Sequence, residues 1–114
     1  MQKAFWESLD ELIHSSSIII DRPKGSAHPR YPDLIYPADY GYLEGTRSMD
    51  GGGVDVWRGS QDEPILDAII VTVDLSKRDI ELKLLVGCTE AEKERILRLH
   101  NESEKMKGIL IRRE

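Results

Sequence analysis

Three consecutive glycines at positions 51–53 place the tightest local constraint on the fold of this chain. Glycine adopts positive φ without steric cost, so the triplet permits a sharp turn that other residues would resist. The run Val54-Asp55-Val56-Trp57 follows it and has the β-branched and aromatic composition of a strand. Because side chains alternate along a strand, Asp55 is expected to face away from the two flanking valines. The triplet therefore predicts a turn into a strand that carries one acidic side chain.

A second aspartate, Asp50, stands just before the triplet, five positions from Asp55. Two carboxylates held close together suit a hard divalent cation such as Mg²⁺, which binds a few carboxylates and completes its shell with waters or phosphate oxygens. The simpler interpretation is that Asp50 belongs to a tight connection and that Asp55 is a solvated strand residue. The local pattern is compatible with both interpretations.

The composition narrows the classes of function. The chain has 114 residues, a length typical of one domain, and a formal net charge of −5. A nucleic-acid-binding surface normally shows a basic stripe, so the acidic excess argues against that class. The single cysteine, Cys88, cannot form an internal disulfide and is expected to be a small buried thiol in a reducing compartment. No apolar run approaches the roughly 18 to 20 residues that span a bilayer, so we expect a cytoplasmic protein without a membrane segment.

An amphipathic helix is predicted over residues 2–14. Phe5, Leu9, Leu12 and Ile13 recur at the spacing of one helical face. Trp6 widens this apolar stripe, and it is expected either to pack in the core or to face a partner subunit.

Three further segments are predicted to be strands. Residues 17–20 are a β-branched run, and residues 64–74 have the apolar composition of a buried strand. Along residues 79–86 the polar side chains share one face, and the apolar side chains share the other. The polar face carries Asp79, Glu81 and Lys83, and the apolar face carries Ile80, Leu82, Leu84 and Val86. The polar face is interpreted either as a plain solvated surface or as part of a site near Asp74.

A second helix is predicted to begin at the capping-box pattern Thr89-Glu-Ala-Glu, which precedes apolar residues at helical spacing. Gly108 is expected to end this segment, which leaves residues 109–114 as a tail or a last strand. His100 is interpreted as a helix-end or core histidine rather than a ligand.

Four motifs connect this chain to a known family: Ile20-Asp-Arg-Pro-Lys-Gly-Ser, Arg30-Tyr31, Tyr36-Pro-Ala-Asp-Tyr-Gly-Tyr-Leu and Asp50-Gly-Gly-Gly-Val-Asp-Val. In order and spacing they resemble the soluble family I inorganic pyrophosphatases. The resemblance is strong over residues 18–57 and weaker over residues 64–101.

The resemblance implies a mainly β fold with flanking helices, built as a small closed β-barrel of the OB type. A barrel of this type does not by itself imply nucleic-acid binding. The implied segments of the single domain 1–114 are an N-terminal helix (1–16), the barrel (17–88), a C-terminal helix (89–108) and a tail or last strand (109–114).

The resemblance also implies a site for Mg²⁺, with Mn²⁺ as an alternative ion, and for pyrophosphate or another small phosphorylated molecule. Carboxylates gathered on one rim repel each other unless divalent cations neutralise them. Such cations lower the pKa of a bound water and stabilise the leaving phosphate. Asp55, Tyr40 and Arg30 are predicted to be catalytic. The implied metal residues are Asp21, Asp50, Asp55, Asp74 and Asp79, and the implied phosphate-binding residues are Lys24, Arg30, Tyr40 and Lys83.

The chain departs from the family pattern at the expected reaction centre. Gly52 stands where the family has an aspartate that contacts the attacking water, and a general base typically contributes about 10²–10⁴-fold to the rate. Pro32 and Asn101 replace a site glutamate and a phosphate-binding lysine, and a hairpin that carries a phosphate-binding arginine is missing. Glu81 replaces another lysine, for which Lys83 on the same strand face is the candidate substitute.

Three functions are therefore weighed. The first is Mg²⁺-dependent hydrolysis of a phosphoanhydride, with inorganic pyrophosphate as the default substrate. The second is a catalytically weak or inactive relative that binds a phosphorylated metabolite or serves as a regulatory subunit. The third is a nucleic-acid-binding barrel, which the acidic charge and the lack of a clear stacking strip disfavour. Pyrophosphatases of this family are usually oligomers, so a homo-oligomer is compatible with the first two.

Overall fold

The computed structural model describes residues 2–114 and contains two helices and six strands within them. Neither helix is long and apolar enough to cross a membrane. The elements are α1 Gln2–His14, β1 Ile18–Arg22, β2 Asp39–Leu43, β3 Val54–Arg58, β4 Leu66–Asp74, β5 Asp79–Val86, α2 Glu90–Leu99 and β6 Met106–Arg112.

All six strands belong to one mixed sheet in the order β1-β2-β3-β5-β4-β6. Neighbouring strands run antiparallel except β3 and β5, which are parallel. Strands β1 and β6 stand at the two ends of this order, and within residues 2–114 the sheet has no pairing that joins them. A mainly β fold with flanking helices is therefore confirmed, whereas the predicted closure into a barrel is not.

Helix α1 covers one side of the sheet, which we call the α1 face and which includes Val56 and Leu84. Trp6 packs in this core with Ile13 and is only 4% exposed, as one of its two interpretations predicted. Phe5, predicted to belong to the apolar stripe, is instead 47% exposed. Trp6 and Ile13 are seven residues apart, which is about two helical turns, so they share one side of α1 and Phe5 lies to the side of it.

Helix α2 packs on the opposite side of the sheet, the α2 face, where Ile96 contacts a core that contains Trp57 and Leu85. Cys88 belongs to the same core and is 2% exposed, so the prediction of a small buried thiol is confirmed. Burial raises the pKa of this thiol to about 12, which keeps it protonated at neutral pH.

The start of α2 was predicted correctly, but its end was not. Thr89 and Glu92 form the complete capping box, in which each side chain accepts a hydrogen bond from the other residue's backbone N–H. The predicted extension to residue 108 is wrong because the helix ends at Leu99. The side-chain amide of Asn101 donates to the carbonyls of Leu97 and Gly108, which fastens the end of α2 to β6. Gly108 therefore lies inside the last strand.

The apolar side of β5 is only half buried. Leu84 and Val86 are fully buried in the α1 core, but Ile80 is 64% exposed and Leu82 is 37% exposed. The core that α1 forms includes Leu84 and Val86 but neither Ile80 nor Leu82. Residue alternation predicted which side chains share a face but could not predict how far the covering helix reaches.

Strand β2 was not predicted, because its sequence Asp39-Tyr-Gly-Tyr-Leu is interrupted by a glycine. A Cβ atom on Gly41 would lie 1.7 Å from the carbonyl oxygen of Ile19, so only glycine fits where β1 and β2 meet. Gly41 thus permits the pairing that brings Tyr40 onto the α2 face, next to Trp57.

Candidate functional site

The most unusual feature of the α2 face is a buried lysine. Lys83 on β5 is paired in register with Asp55 on β3, and Glu81 lies two residues before it on the same face. The Nζ atom of Lys83 lies 3.0 Å from Oδ2 of Asp55, 2.9 Å from Oε2 of Glu81 and 2.6 Å from the hydroxyl oxygen of Tyr40. The Lys83 side chain is 6% exposed, against 28% for Asp55 and 20% for Glu81. We call these four residues the Lys83 cluster.

The electrostatics of the cluster fix its charges at neutral pH. Burial alone would lower the pKa of Lys83, but its contacts with Tyr40, Asp55 and Glu81 outweigh that effect and raise it. Burial is the main cause that raises the pKa of the Tyr40 phenol, so this side chain stays neutral. The cluster therefore consists of one ammonium, two carboxylates and a neutral hydroxyl.

An aromatic row leads from this cluster to a second cation. The rings of Tyr40 and Tyr36 lie 5.7 Å apart, and Tyr36 is stacked on His28 with a centroid distance of 6.3 Å. The guanidinium of Arg22 donates a hydrogen bond to the Tyr36 hydroxyl and lies 5.6 Å from the centre of that ring. Desolvation lowers the pKa of His28, and the positive charges of Arg22, Lys77 and Arg30 lower it further. The end of the row thus has a positive electrostatic environment.

The structure brings together three of the predicted site residues, namely Asp55, Tyr40 and Lys83. Asp50, in contrast, closes its own loop, where its Oδ1 accepts hydrogen bonds from the Ser48 hydroxyl at 2.5 Å and from the Gly52 amide at 2.9 Å. The hydrogen bond from Ser48 has the larger effect and that from Gly52 the smaller, and both lower the pKa of Asp50.

Asp74 likewise serves a turn, because its Oδ1 accepts from the backbone N–H groups of Ser76 and Lys77 at 2.9 and 3.1 Å. Asp79 is its cross-strand partner. Asp79 is four residues from Lys83 along β5, a rise of about 13 Å, so this pair of aspartates lies away from Lys83 and Asp55 and nearer to Glu81, two residues from Asp79.

The remaining predicted residues lie around the first connection. Asp21 is exposed at a register shift in β1. The backbone N–H of Lys24 donates to Asp39 at 2.8 Å, and that of Arg30 donates to Nδ1 of His28 at 3.0 Å. The side chains of Lys24 and Arg30 are exposed.

The residues present do not fit the metal site that the family resemblance implies. The carboxylates of Asp55 and Glu81 already bind an ammonium group, while Asp50 and Asp74 accept hydrogen bonds from their own turns. Within the described part of the chain, no group of three or more His, Cys, Asp or Glu side chains is placed to hold a metal ion. Divalent ions in proteins normally bind oxygen ligands that are free to coordinate them.

Sequence reasoning did not anticipate the roles of Arg22, Tyr36 and His28. The register of β1 shifts between Ile20 and Arg22, and this shift pairs Arg22 with Tyr40 and turns it to the α2 face. The only sequence signal for the irregularity is Pro23, which cannot donate a ladder hydrogen bond.

Comparison with known proteins supports the fold. No protein-family model matches the sequence, and no curated protein matches it either. Solved structures match the fold, among them the following three. An inorganic pyrophosphatase from Neisseria gonorrhoeae has a TM-score of 0.60 and 17% identity, with 79% of this chain and 77% of that chain covered.

Two further solved structures cover similar shares of both chains. A protein described as an inorganic phosphatase from Anaplasma phagocytophilum has a TM-score of 0.57 and 13% identity over 83% of this chain and 81% of that one. The inorganic pyrophosphatase of Helicobacter pylori has a TM-score of 0.57 and 15% identity over 85% and 82%. At these identities the likeness shows the fold: the chain has, in divergent form, the fold of the inorganic pyrophosphatases.

Proposed function

We propose that this chain binds a small phosphorylated anion, with pyrophosphate as the reference ligand, and hydrolyses it slowly or not at all. The observation that carries the proposal is the guanidinium of Arg22, which donates a hydrogen bond to the hydroxyl of Tyr36. Among residues 2–114, no carboxylate lies within ion-pair distance of Arg22. A guanidinium has five N–H donors, so most of those of Arg22 remain for an anion.

The surroundings of Arg22 strengthen this proposal. His28 lies on the same aromatic row, and the pKa of its imidazole is lowered by desolvation and then by the positive charges of Arg22, Lys77 and Arg30. Cations without a carboxylate in ion-pair contact attract phosphate oxygens, and arginine binds two of them at once. The predicted phosphate ligands Lys24 and Arg30 extend the same rim in this proposal.

Hydrolysis is expected to be weak because the site formed by residues 2–114 lacks a carboxylate that is free to position the attacking water. The expected water-positioning aspartate is Gly52, and the carboxylate of Asp55 is engaged by Lys83. A chain that binds the anion without hydrolysing it would act as a carrier of the anion or as a subunit that the anion regulates. A cytoplasmic location remains a prediction, based on the single buried cysteine.

Binding is tested by titrating pyrophosphate into the EDTA-treated protein and following heat or the thermal midpoint. A hydrogen bond to a charged group is worth about 1.5–3 kcal/mol, so Arg22→Gln is expected to weaken binding by about 10- to 100-fold. Arg95→Gln removes the same charge from the exposed side of α2 and should leave the affinity unchanged. Equal affinities of the two variants would refute the Arg22 site.

The second candidate is Mg²⁺-dependent hydrolysis of a phosphoanhydride, with Mn²⁺ as an alternative ion. The likeness to pyrophosphatase structures favours it, as does the spacing of Asp50, Asp55, Asp74 and Asp79. Phosphate release from pyrophosphate and from nucleoside di- and triphosphates tests it, with Asp55→Asn as the variant that should abolish turnover. A gain from Gly52→Asp would show that only the water-positioning carboxylate is missing.

A further inference from the structure

We propose that the ammonium group of Lys83, held between Asp55 and Glu81, is the resident cation of this site and neutralises Asp55 in place of the divalent metal ion that the family resemblance implies there. This inference does not depend on the proposed anion binding, because the contacts of Lys83 exist without any ligand. It assigns the chain a metal-independent electrostatic centre in a fold shared with pyrophosphatases.

Every hydrogen-bond donor of the Lys83 ammonium group has a partner. An ammonium group has three N–H donors, and Lys83 Nζ has three oxygen partners within 3.0 Å, from Tyr40, Asp55 and Glu81. No donor is left for a phosphate oxygen, so Lys83 is assigned a different role from the phosphate-binding one that the family resemblance suggested.

The position of Lys83 is imposed by the sheet. The parallel register of β3 and β5 sets Lys83 directly beside Asp55, and strand alternation places Glu81 on the same face. On the neighbouring strand, Ile70 is the register partner of Lys83 and offers no charge. At the position of β4 that pairs with Lys83, the ammonium group therefore finds no acidic side chain as an alternative partner.

The charges of the cluster explain why a metal ion is not needed. Two carboxylates held together repel each other, and one buried ammonium between them removes most of that repulsion. A divalent ion entering the same space would meet the ammonium at a few ångströms as a like charge. Buried charges are retained when they are paired and hydrogen-bonded, which is the condition of Lys83.

The test is a titration of Mn²⁺, followed by calorimetry, into the natural protein and into Lys83→Ser. Serine vacates the space of the ammonium and leaves both carboxylates. We expect no saturable binding to the natural protein and saturable binding to Lys83→Ser, at least about tenfold tighter than the weakest affinity that the titration detects, because the substitution removes a unit positive charge next to the ion. The double variant Lys83→Ser with Asp55→Asn should lose this gain.

Mn²⁺ binding to the natural protein as tight as to Lys83→Ser would overturn the proposal, as would a Lys83→Ser protein that folds and gains no binding. Should Lys83→Ser fail to fold, NMR of the natural protein decides. Broadening of the Tyr40 ring signals by Mn²⁺ that disappears in Asp55→Asn would overturn the proposal, and unchanged signals would support it. Anion affinity at Arg22 is measured separately, so either proposal can fail without the other.

Discussion

The indole N–H of Trp57 donates a hydrogen bond to Nε2 of His100 across 3.1 Å, and both side chains are buried. The bond joins the end of α2 to the second half of β3, beside the ring of Tyr40. Nε2 can accept only when the imidazole is neutral, so this contact ties the packing of the α2 face to the protonation state of one histidine.

Acid should therefore destabilise the protein through His100. Desolvation by burial, with a smaller effect of Lys83, lowers its pKa to about 3 from the ordinary 6.5. Between these values the unfolded chain binds one proton more than the folded chain. The free energy of unfolding contributed by this group is complete above pH 6.5 and falls by about 1.4 kcal/mol per pH unit as the pH decreases toward 3.

The measurement is urea denaturation at pH 7.5 and 4.5 for the natural protein and for His100→Gln, whose amide oxygen can still accept from Trp57. The natural protein should lose about 2 to 3 kcal/mol more than His100→Gln over this interval. His14→Gln, which removes an exposed histidine at the end of α1, is the matched control. The same loss in all three proteins would show that His100 is not the cause.

Gly41→Ala should destabilise the protein strongly, since its Cβ would lie 1.7 Å from the Ile19 carbonyl oxygen and would push β1 away from β2. Overpacking of this kind costs about 1–3 kcal/mol or more. Gly52→Ala is the control, because the nearest atom to its Cβ is a side-chain oxygen of Asp50 at 3.3 Å. Equal urea midpoints for the two variants would contradict the close approach of the strands.

Local sequence signals predicted the fold where the determining contacts are themselves local. The capping box at Thr89 and the turn at the glycine triplet, where Gly51 has φ of +88°, need only neighbouring residues, and both are present. The end of α2 was missed because Asn101 acts through a strand that begins several residues later. Strand β2 was missed because Gly41 is explained only by the backbone of β1.

The site was predicted only where its residues are placed by local strand alternation, and its long-range contacts were missed. Alternation along β3 and β5 placed Asp55, Glu81 and Lys83 on polar faces, but the parallel register that brings the two strands together is a property of the whole sheet. Arg22 was overlooked because the β1 register shift that turns it toward Tyr40 is not encoded by strict alternation.

Thr89→Ala should cost about 1 kcal/mol of unfolding free energy, because it leaves the backbone N–H of Glu92 without its partner at the start of α2. Thr89→Ser keeps the hydroxyl and should be close to neutral. Urea denaturation at neutral pH compares the two. A loss of similar size in both variants would point to the packing of the threonine methyl group rather than to the cap.

The two halves of the apolar side of β5 should respond differently to substitution. Leu84 is fully buried against α1, so Leu84→Ala is expected to cost about 2–5 kcal/mol through lost burial and a residual cavity. Ile80 lies on the same face but is 64% exposed, so Ile80→Thr should change the unfolding free energy by no more than about 0.5 kcal/mol. Both free energies come from urea denaturation of the dilute protein. A large cost for Ile80→Thr that grows with protein concentration would mean that this end of the α1 face is covered in solution by a second copy of the chain, since association makes stability depend on concentration.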